Sequence, residues 1–184
     1  LGADALEQGI DVMISSWRKP PPGTMPPMAK IGGAYVLPTL AKMEAKRSGF
    51  AEAILLDVDG RVAEGSGENL FAVLGGDLIT PPLSDSILGG VTRRSILRLA
   101  KEAGLRIHEQ SMSRTALHLA DELFFTGTAA EVTPITSVDR IPVGTGKPGP
   151  VTQKLQAAFF GIVNGTAPDP FGWMTPVNPA GGTP

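Results

Sequence analysis

Four short stretches carry the side chains that could do chemistry. Ala29 to Tyr35 (Ala-Lys-Ile-Gly-Gly-Ala-Tyr) sets Lys30 between a proline-rich approach, Pro20 to Pro27, and a glycine pair followed by an apolar helical pattern. An amine fixed at such a junction is a candidate nucleophile, although a lysine beside two glycines is also what a solvated loop contains. Glu64 to Asn69 (Glu-Gly-Ser-Gly-Glu-Asn) puts two carboxylates among residues small enough for a ligand to come close. That run lacks the GxGxxG spacing before a helix that a dinucleotide fingerprint needs, and a glycine-bent hairpin would have the same composition. Gly89-Gly90-Val91-Thr92-Arg93 is a glycine pair opening onto a helix start, where free N–H groups, the positive end of the helix dipole and the Thr92 hydroxyl make a seat for an anion. Thr126 to Glu131 (Thr-Gly-Thr-Ala-Ala-Glu) offers hydroxyls and backbone N–H groups in a tight turn, and it too is compatible with a turn and nothing more.

An amine, an anion seat and a carboxylate in one chain are what pyridoxal 5'-phosphate requires. Its aldehyde needs a lysine for a Schiff base, its phosphate needs N–H donors at a helix end, and its ring nitrogen needs an acid partner that keeps it protonated.

The elements that must position these residues follow from periodicity and turn signals. Ile10 to Ser16 is a short apolar run that fits a buried strand, leading through the polar Trp17-Arg18-Lys19 into the proline loop. Ala34 to Lys46 reads as a helix closed by Ser48-Gly49, with Pro38 tolerated in its first turn, so Lys30 precedes a helix. Ala51 to Asp57 and Arg61 to Glu64 form a hairpin over Asp59-Gly60, and Asn69 to Leu74 and Asp77 to Thr80 repeat it over Gly75-Gly76, a meandering antiparallel sheet. Further on come a helix at Thr92 to Ala103 stopped by Gly104, a strand at Arg106 to Gln110, and a helix at Ser113 to Ala120 with Ser113 as N-cap. Strands at Glu122 to Thr126, Pro134 to Val138 and Arg140 to Val143, and a helix at Val151 to Val163, complete the set. Hairpins with helices packed on them predict an α+β fold. Phe124, Phe125, Phe159 and Phe160 are expected in the core, and Phe171 and Trp173 are expected to pin an extended Pro- and Gly-rich tail from Ala167 onward.

With 184 residues, 42% of them hydrophobic, the chain can fill one core. A net charge of -2 with interspersed signs speaks against a nucleic-acid or anionic-membrane partner, and the absence of cysteine with only two histidines, His108 and His118, leaves little for a metal site. No run of 18 apolar residues occurs. The chain starts at Leu1 without methionine, so the native N-terminus is expected to lie elsewhere.

In order and spacing, Ala29-Lys30-Ile31-Gly32-Gly33-Ala34-Tyr35, Glu64 to Phe71, Gly90 to Arg93 and Gly127 to Pro134 resemble the branched-chain amino-acid aminotransferases of the fold-type IV, class IV pyridoxal-phosphate enzymes. The resemblance runs from Leu1 to about Asn178. It implies a large cofactor-binding domain at 1–178, its interdomain linker at 1–29, a flexible tail at 179–184, and mostly antiparallel sheets forming a pseudo-barrel with packed helices. A smaller N-terminal domain, which in the family supplies an arginine to the phosphate, is expected to be missing from this chain.

Carried over residue by residue, the resemblance implies that Lys30 holds the cofactor aldehyde and shuttles the substrate proton. Tyr35 meets the cofactor's phenolic oxygen and the substrate, and Glu64 pairs with the ring nitrogen. Leu88 packs on the ring, and Gly90, Val91, Thr92, Gly127 and Thr128 bind the phosphate. The Thr128-Ala129 turn takes the substrate carboxylate. Glu68 and Asn69 are expected to bond neighbouring backbone, Arg93 could face either way, and His108 and His118 fall outside the motifs. Position 34 is Ala where some relatives carry Asn. The implied function is transfer of the amino group of Leu, Ile or Val to 2-oxoglutarate in branched-chain amino-acid biosynthesis, by a cytoplasmic homo-oligomer, a dimer or a hexamer, without a metal. D-amino-acid transaminases, amine transaminases and aminodeoxychorismate lyases would share Lys30 and Glu64, and a fragment serving only as a folded binding or assembly module is a further alternative.

Overall fold

The computed structural model describes residues 2–175 and 177, so the tail expected at 179–184 lies outside the described residues. A short helix α1 (Ala3–Gln8) precedes strand β1 (Ile10–Arg18). After the proline loop, a single turn of 3-10 helix at Gly32–Tyr35 runs directly into α2 (Val36–Arg47). Strands β2 (Glu52–Leu56) and β3 (Val62–Gly65) then form one hairpin, and β4 (Asn69–Leu74) and β5 (Asp77–Thr80) the next. Helix α3 (Val91–Glu102), strand β6 (Ile107–Glu109) and helix α4 (Arg114–Leu119) lead to the hairpin of β7 (Glu122–Gly127) and β8 (Glu131–Val138). The two-residue β9 (Ile141–Pro142) and helix α5 (Pro150–Val163) close the order.

Local chemistry explains the turns. In the first hairpin, the Asp57 carboxylate accepts N–H bonds from Asp59 (2.9 Å) and Arg61 (2.8 Å), and Gly60 adopts φ 82°. In the second, Gly75 and Gly76 both have positive φ (58° and 86°), as a turn that matches the strand twist demands. Helix α3 stops where Gly104 takes φ 75°.

The strands make one sheet in the order β3-β2-β1-β8-β7-β4-β5-β6, with β9 paired to β8. The hairpins are antiparallel as expected, but β1–β2, β1–β8 and β5–β6 are parallel, so the sheet is mixed. The β1–β2 pairing requires a crossover, and α2 provides it. One apolar cluster joins Val62 of β3 to Ile79 of β5, from opposite ends of the strand order, together with Val12, Leu70, Leu123 and Phe125. Residues from both ends can share one cluster only if the sheet curls around it. A bond from Val62 N–H to Met112 O (2.8 Å) ties the β3 edge to the segment after β6.

The outer face is covered by helices. Phe71, Val73 and Phe124 pack against Ile96 and Leu99 of α3 and Leu155 and Ile162 of α5, while α2 lays Ala41 and Ala45 on Ala53 and Leu55. Both faces of β2, β4 and β7 are thus buried, which is why those strands read as continuous apolar runs rather than alternating ones. Alternation sends Phe124 and Phe125 to opposite faces, and Phe124 stacks on Phe71 with centroids 5.0 Å apart. Phe159 packs on the outer cluster while only partly buried, as do the stacked Phe171 and Trp173.

Three details depart from the sequence reading. Strand β8 begins at Glu131, not at Pro134: Pro134 pairs with Phe124 on one side, and β1 on the other side starts only opposite Ile135, so the missing N–H leaves no partner unmet there. Ser113 stands at the N-cap of α4 but its side chain caps nothing, and its backbone instead bridges Arg61. Helix α1 is the third, too short to leave a periodic signal and burying only Ala5.

Helix α5 is fastened to the sheet by one buried carboxylate. Glu122, the first residue of β7, accepts bonds from Val151 N–H (2.9 Å), Thr152 N–H (2.7 Å) and the Thr152 hydroxyl (2.7 Å). Gly149 makes room for it, since a Cβ there would lie 2.1 Å from the Glu122 carboxyl carbon. A Glu122→Ala substitution is expected to cost about 2–4 kcal/mol in chemical denaturation, three charge-assisted bonds at a helix N-terminus being lost at once. A loss under about 0.5 kcal/mol would show that α5 docks without this contact.

Candidate active site

The polypeptide gathers the chemistry-bearing stretches at one end of the β1–β2–β3 strands. Lys30 lies in the connection that leaves the C-terminal end of β1 toward the α2 crossover, where ligands sit in parallel βαβ units. Glu64 is on β3, opposite Leu55 of β2. The glycine pair at 89–90 starts α3, and Thr126 to Thr128 end β7.

These segments enclose a cleft of about 280 Å³. Lys30, Tyr35 and Glu64 line it, together with Leu88, the 90–92 helix start, Gly127 and Thr128. The structure therefore brings together every sequence-predicted site residue but one. Ala129 is exposed on the β7–β8 turn, outside the lining. Lys30 is exposed and Tyr35 half-buried, the latter at the point where the 3-10 turn becomes α2. Arg93 is buried away from the lining, bonded to Pro81 O (3.0 Å) and to Glu109 (2.7 Å). His108 is an exposed partner of Asp77.

Glu64 is the most constrained member. Its Oε1 accepts from Lys19 Nζ at 2.7 Å, and its Oε2 accepts from Asn69 Nδ2 at 3.1 Å and from Leu88 N–H at 2.9 Å. Asn69 also donates to Leu88 O (2.7 Å), so carboxylate, amide and loop hold one another. A carboxylate has four acceptor positions; three are filled, and one on Oε1 remains for a further donor. Burial pushes the Glu64 carboxyl above its usual range, and the Lys19 charge, the Lys19 and Leu88 bonds and the Arg93 charge only partly reverse this.

Two further lining residues, Lys19 and Thr126, have no role of their own in the sequence reading. Lys19 N–H donates to Leu56 O (2.9 Å), so the lysine continues β1 alongside β2 and reaches Glu64 two strands away. In the sequence it is only the last of a polar trio. Thr126 is buried, and its hydroxyl has no hydrogen-bond partner among the described residues. The signal for it was its place in the Thr-Gly-Thr turn.

At the α3 N-terminus, Gly90 is extended and no side chain among the described residues caps the helix, while the first intrahelical bond to Gly90 O comes from Arg94 N–H (3.2 Å). The N–H groups of residues 91–93 precede it and have no intrahelical acceptor. Gly90 is obligatory here, because a Cβ would fall 2.3 Å from Asn69 Oδ1. The site thus offers an amine, a buried carboxylate with one open acceptor position, free N–H groups at a helix end, and hydroxyls from Tyr35, Thr92, Thr126 and Thr128.

Comparison with known proteins gives a consistent picture. The sequence pattern of the family described as amino-transferase class IV matches residues 2–138. The chain is 54% identical over 178 residues to the branched-chain-amino-acid aminotransferase of Salmonella typhimurium, covering 97% of this chain and 58% of that protein. Its structure is similar to the crystal structure of the Escherichia coli branched-chain amino acid aminotransferase, with a TM-score of 0.95 at 54% identity, over 97% of this chain and 59% of the other. It is also similar to the branched-chain amino acid aminotransferase of T.th. solved with pyridoxamine 5'-phosphate, with a TM-score of 0.92 at 46% identity, over 97% and 58% of the respective chains. The chain therefore spans about three fifths of the length of these relatives.

The Lys19–Glu64 pair has a measurable consequence. Lys19→Met strands a buried carboxyl and is expected to cost about 3 kcal/mol of stability, most of which Glu64→Gln in the same chain restores. Since the folded Glu64 pKa is raised, its contribution is complete below the unfolded carboxyl range and is lost as pH rises through the folded value; removing Lys19 raises that value further. The deficit of Lys19→Met should accordingly grow with pH. Urea denaturation across pH checks this, and a pH-independent deficit would show that Glu64 is not the group stranded.

Proposed function

We propose, because the chain belongs to the class IV aminotransferase family, that the protein transfers the amino group of leucine, isoleucine or valine to 2-oxoglutarate with pyridoxal 5'-phosphate as cofactor. The observation that carries this reading is the convergence of Lys30, Glu64, the α3 N-terminus and the Thr126–Thr128 turn on one cleft. Substrate class is supported by the names of the similar proteins, all branched-chain aminotransferases.

The residues present fit the cofactor. The open position on Glu64 Oε1 suits a protonated ring nitrogen, and the raised pKa of that carboxyl favours sharing such a proton. The Val91 and Thr92 N–H groups at the start of α3 suit a phosphate, and the Thr126 hydroxyl, without a hydrogen-bond partner among the described residues, suits a polar substituent. Pyridoxal phosphate, when bound, supplies an electron sink for carbanion character at the substrate Cα.

The chain's own residues supply position and protons. Lys30 Nζ would anchor the cofactor aldehyde and, as an amine at the cleft, would serve as the base that takes the proton from the substrate Cα. Of the residues lining the cleft, Tyr35 would meet the phenolic oxygen of the cofactor, Leu88 would pack on its ring, and Val91, Thr92, Gly127 and Thr128 would hold its phosphate. Thr128 and Ala129 offer N–H groups for the substrate carboxylate, a role that needs the exposed Ala129 to be covered by substrate. Glu64, held in place by Lys19, Asn69 and Leu88, would keep a proton on the ring nitrogen.

The test uses L-leucine and 2-oxoglutarate with the protein reconstituted with pyridoxal phosphate. Turnover is expected, and Lys30→Ala should lose turnover, the near-visible absorption of the bound cofactor and borohydride-fixed cofactor mass. Turnover of D-amino acids or amines in place of L-leucine would reject the branched-chain reading, and fixation in Lys30→Ala would move the anchor to another lysine.

A further inference from the structure

Three side chains, Glu122, Phe124 and Thr126, stand along one face of β7, because alternate residues of a strand share a side. Helices α3 and α5 cover that face, where Phe124 joins one apolar cluster with Ile96 of α3 and Leu155 of α5. Glu122, at the start of the strand, accepts from the N–H groups that open α5. Thr126, near its other end, stands beside the start of α3. It pairs across the ladder with Asn69, whose amide bonds Leu88 O and whose Oδ1 would lie 2.3 Å from a Cβ on Gly90. One helix start over this strand thus receives a carboxylate from the protein. The other receives a neutral hydroxyl, and no side chain among the described residues caps it.

That hydroxyl is an exception among the buried threonines. Thr126 is 1% exposed, and its Oγ1 has no hydrogen-bond partner among the described residues. Thr80, Thr133 and Thr152, buried like it, each donate to an acceptor of the chain. Asn69 has nothing to give it, since its amide nitrogen donates to Glu64 Oε2 and to Leu88 O. A buried hydroxyl left unpaired is destabilising, unless something from outside the chain completes the bond. Thr126 lines the cleft with Val91, Thr92, Gly127 and Thr128, so such a partner enters there.

We infer that Thr126 is a binding residue for a phosphate monoester dianion, its hydroxyl donating to an oxygen of the same phosphate that sits on the α3 N-terminus. The dianion takes at α3 the place that the Glu122 carboxylate takes at α5. Its donors come from the helix start, from the strand below and from the Gly127–Thr128 turn, a spread of directions that suits a tetrahedral anion better than a planar carboxylate. That the phosphate belongs to pyridoxal 5'-phosphate rests on the function proposed above; the anion seat itself does not.

Amide NMR of the full chain titrated with inorganic phosphate tests this. The Val91 and Thr92 amides are expected to shift with phosphate and to ignore acetate. Thr126→Val, which keeps the shape and removes the hydroxyl, should raise the phosphate dissociation constant roughly tenfold, and Thr126→Ser should restore it. Pyridoxal 5'-phosphate should lose affinity by a similar factor in Thr126→Val, whereas pyridoxal, which lacks the phosphate, should bind both proteins alike. Without ligand, Thr126→Val should unfold at the temperature of the natural sequence or a few degrees above it. Unmoved Val91 and Thr92 amides, or equal phosphate affinity in the natural sequence and Thr126→Val, overturn the inference. So does an equal response to acetate, or a loss for pyridoxal as large as that for its phosphate ester. A ligand-free midpoint several degrees lower in Thr126→Val but unchanged in Thr126→Ser shows a bond within the protein and overturns it as well. Phosphate binding that depends on Thr126, without fixation of pyridoxal 5'-phosphate to Lys30, defeats the proposed function and leaves the anion seat standing.

Discussion

The buried carboxylate of Glu64 is the constraint on which the site depends. A charge taken out of water is tolerated only where its acceptor positions are met, and three other segments meet them: the end of β1 through Lys19, the start of β4 through Asn69, and the loop before α3 through Leu88 N–H. Each bond also fixes a piece of the cleft. Lys19 sets the departure of the loop that carries Lys30, Asn69 sets the floor, and Leu88 sets the approach to the uncapped helix end. The proposed ring-nitrogen partner and the proposed anion seat thus belong to one hydrogen-bonded unit.

The curled sheet explains how such a unit can be rigid. Strands β2, β4 and β7 are buried on both faces, and Glu122 and Gly149 clamp α5 onto the sheet beside α3. Polar groups are concentrated where strands end and glycines allow close approach: Gly65 against Glu68, and Gly90 against Asn69. In both places the glycine is required by space, since each contact lies well inside the reach of a Cβ.

Much of this was legible in the sequence, because it is local. The glycine pair before a helix, the carboxylates among small residues and the lysine after a proline loop each announce themselves within a few positions, and the Asp-Gly and Gly-Gly turns located both early hairpins. What was not legible is pairing across the chain. Lys19 looks like a surface residue until β1 is set parallel to β2, and parallel pairing is decided by a crossover rather than by any neighbouring residue. Helix α1 and the early start of β8 escaped because six residues give no period and Pro134 resembles a strand boundary.

We propose that Glu64 and the α3 N-terminus hold the two ends of one pyridoxal phosphate. A crystal structure of the protein grown with that cofactor tests it most directly. The ring nitrogen is expected at hydrogen-bond distance from Glu64 Oε1, with Lys19 still on the same carboxylate and the phosphate on the N–H groups of Val91 and Thr92. A ring nitrogen facing any other group, or a phosphate seated away from α3, would contradict it.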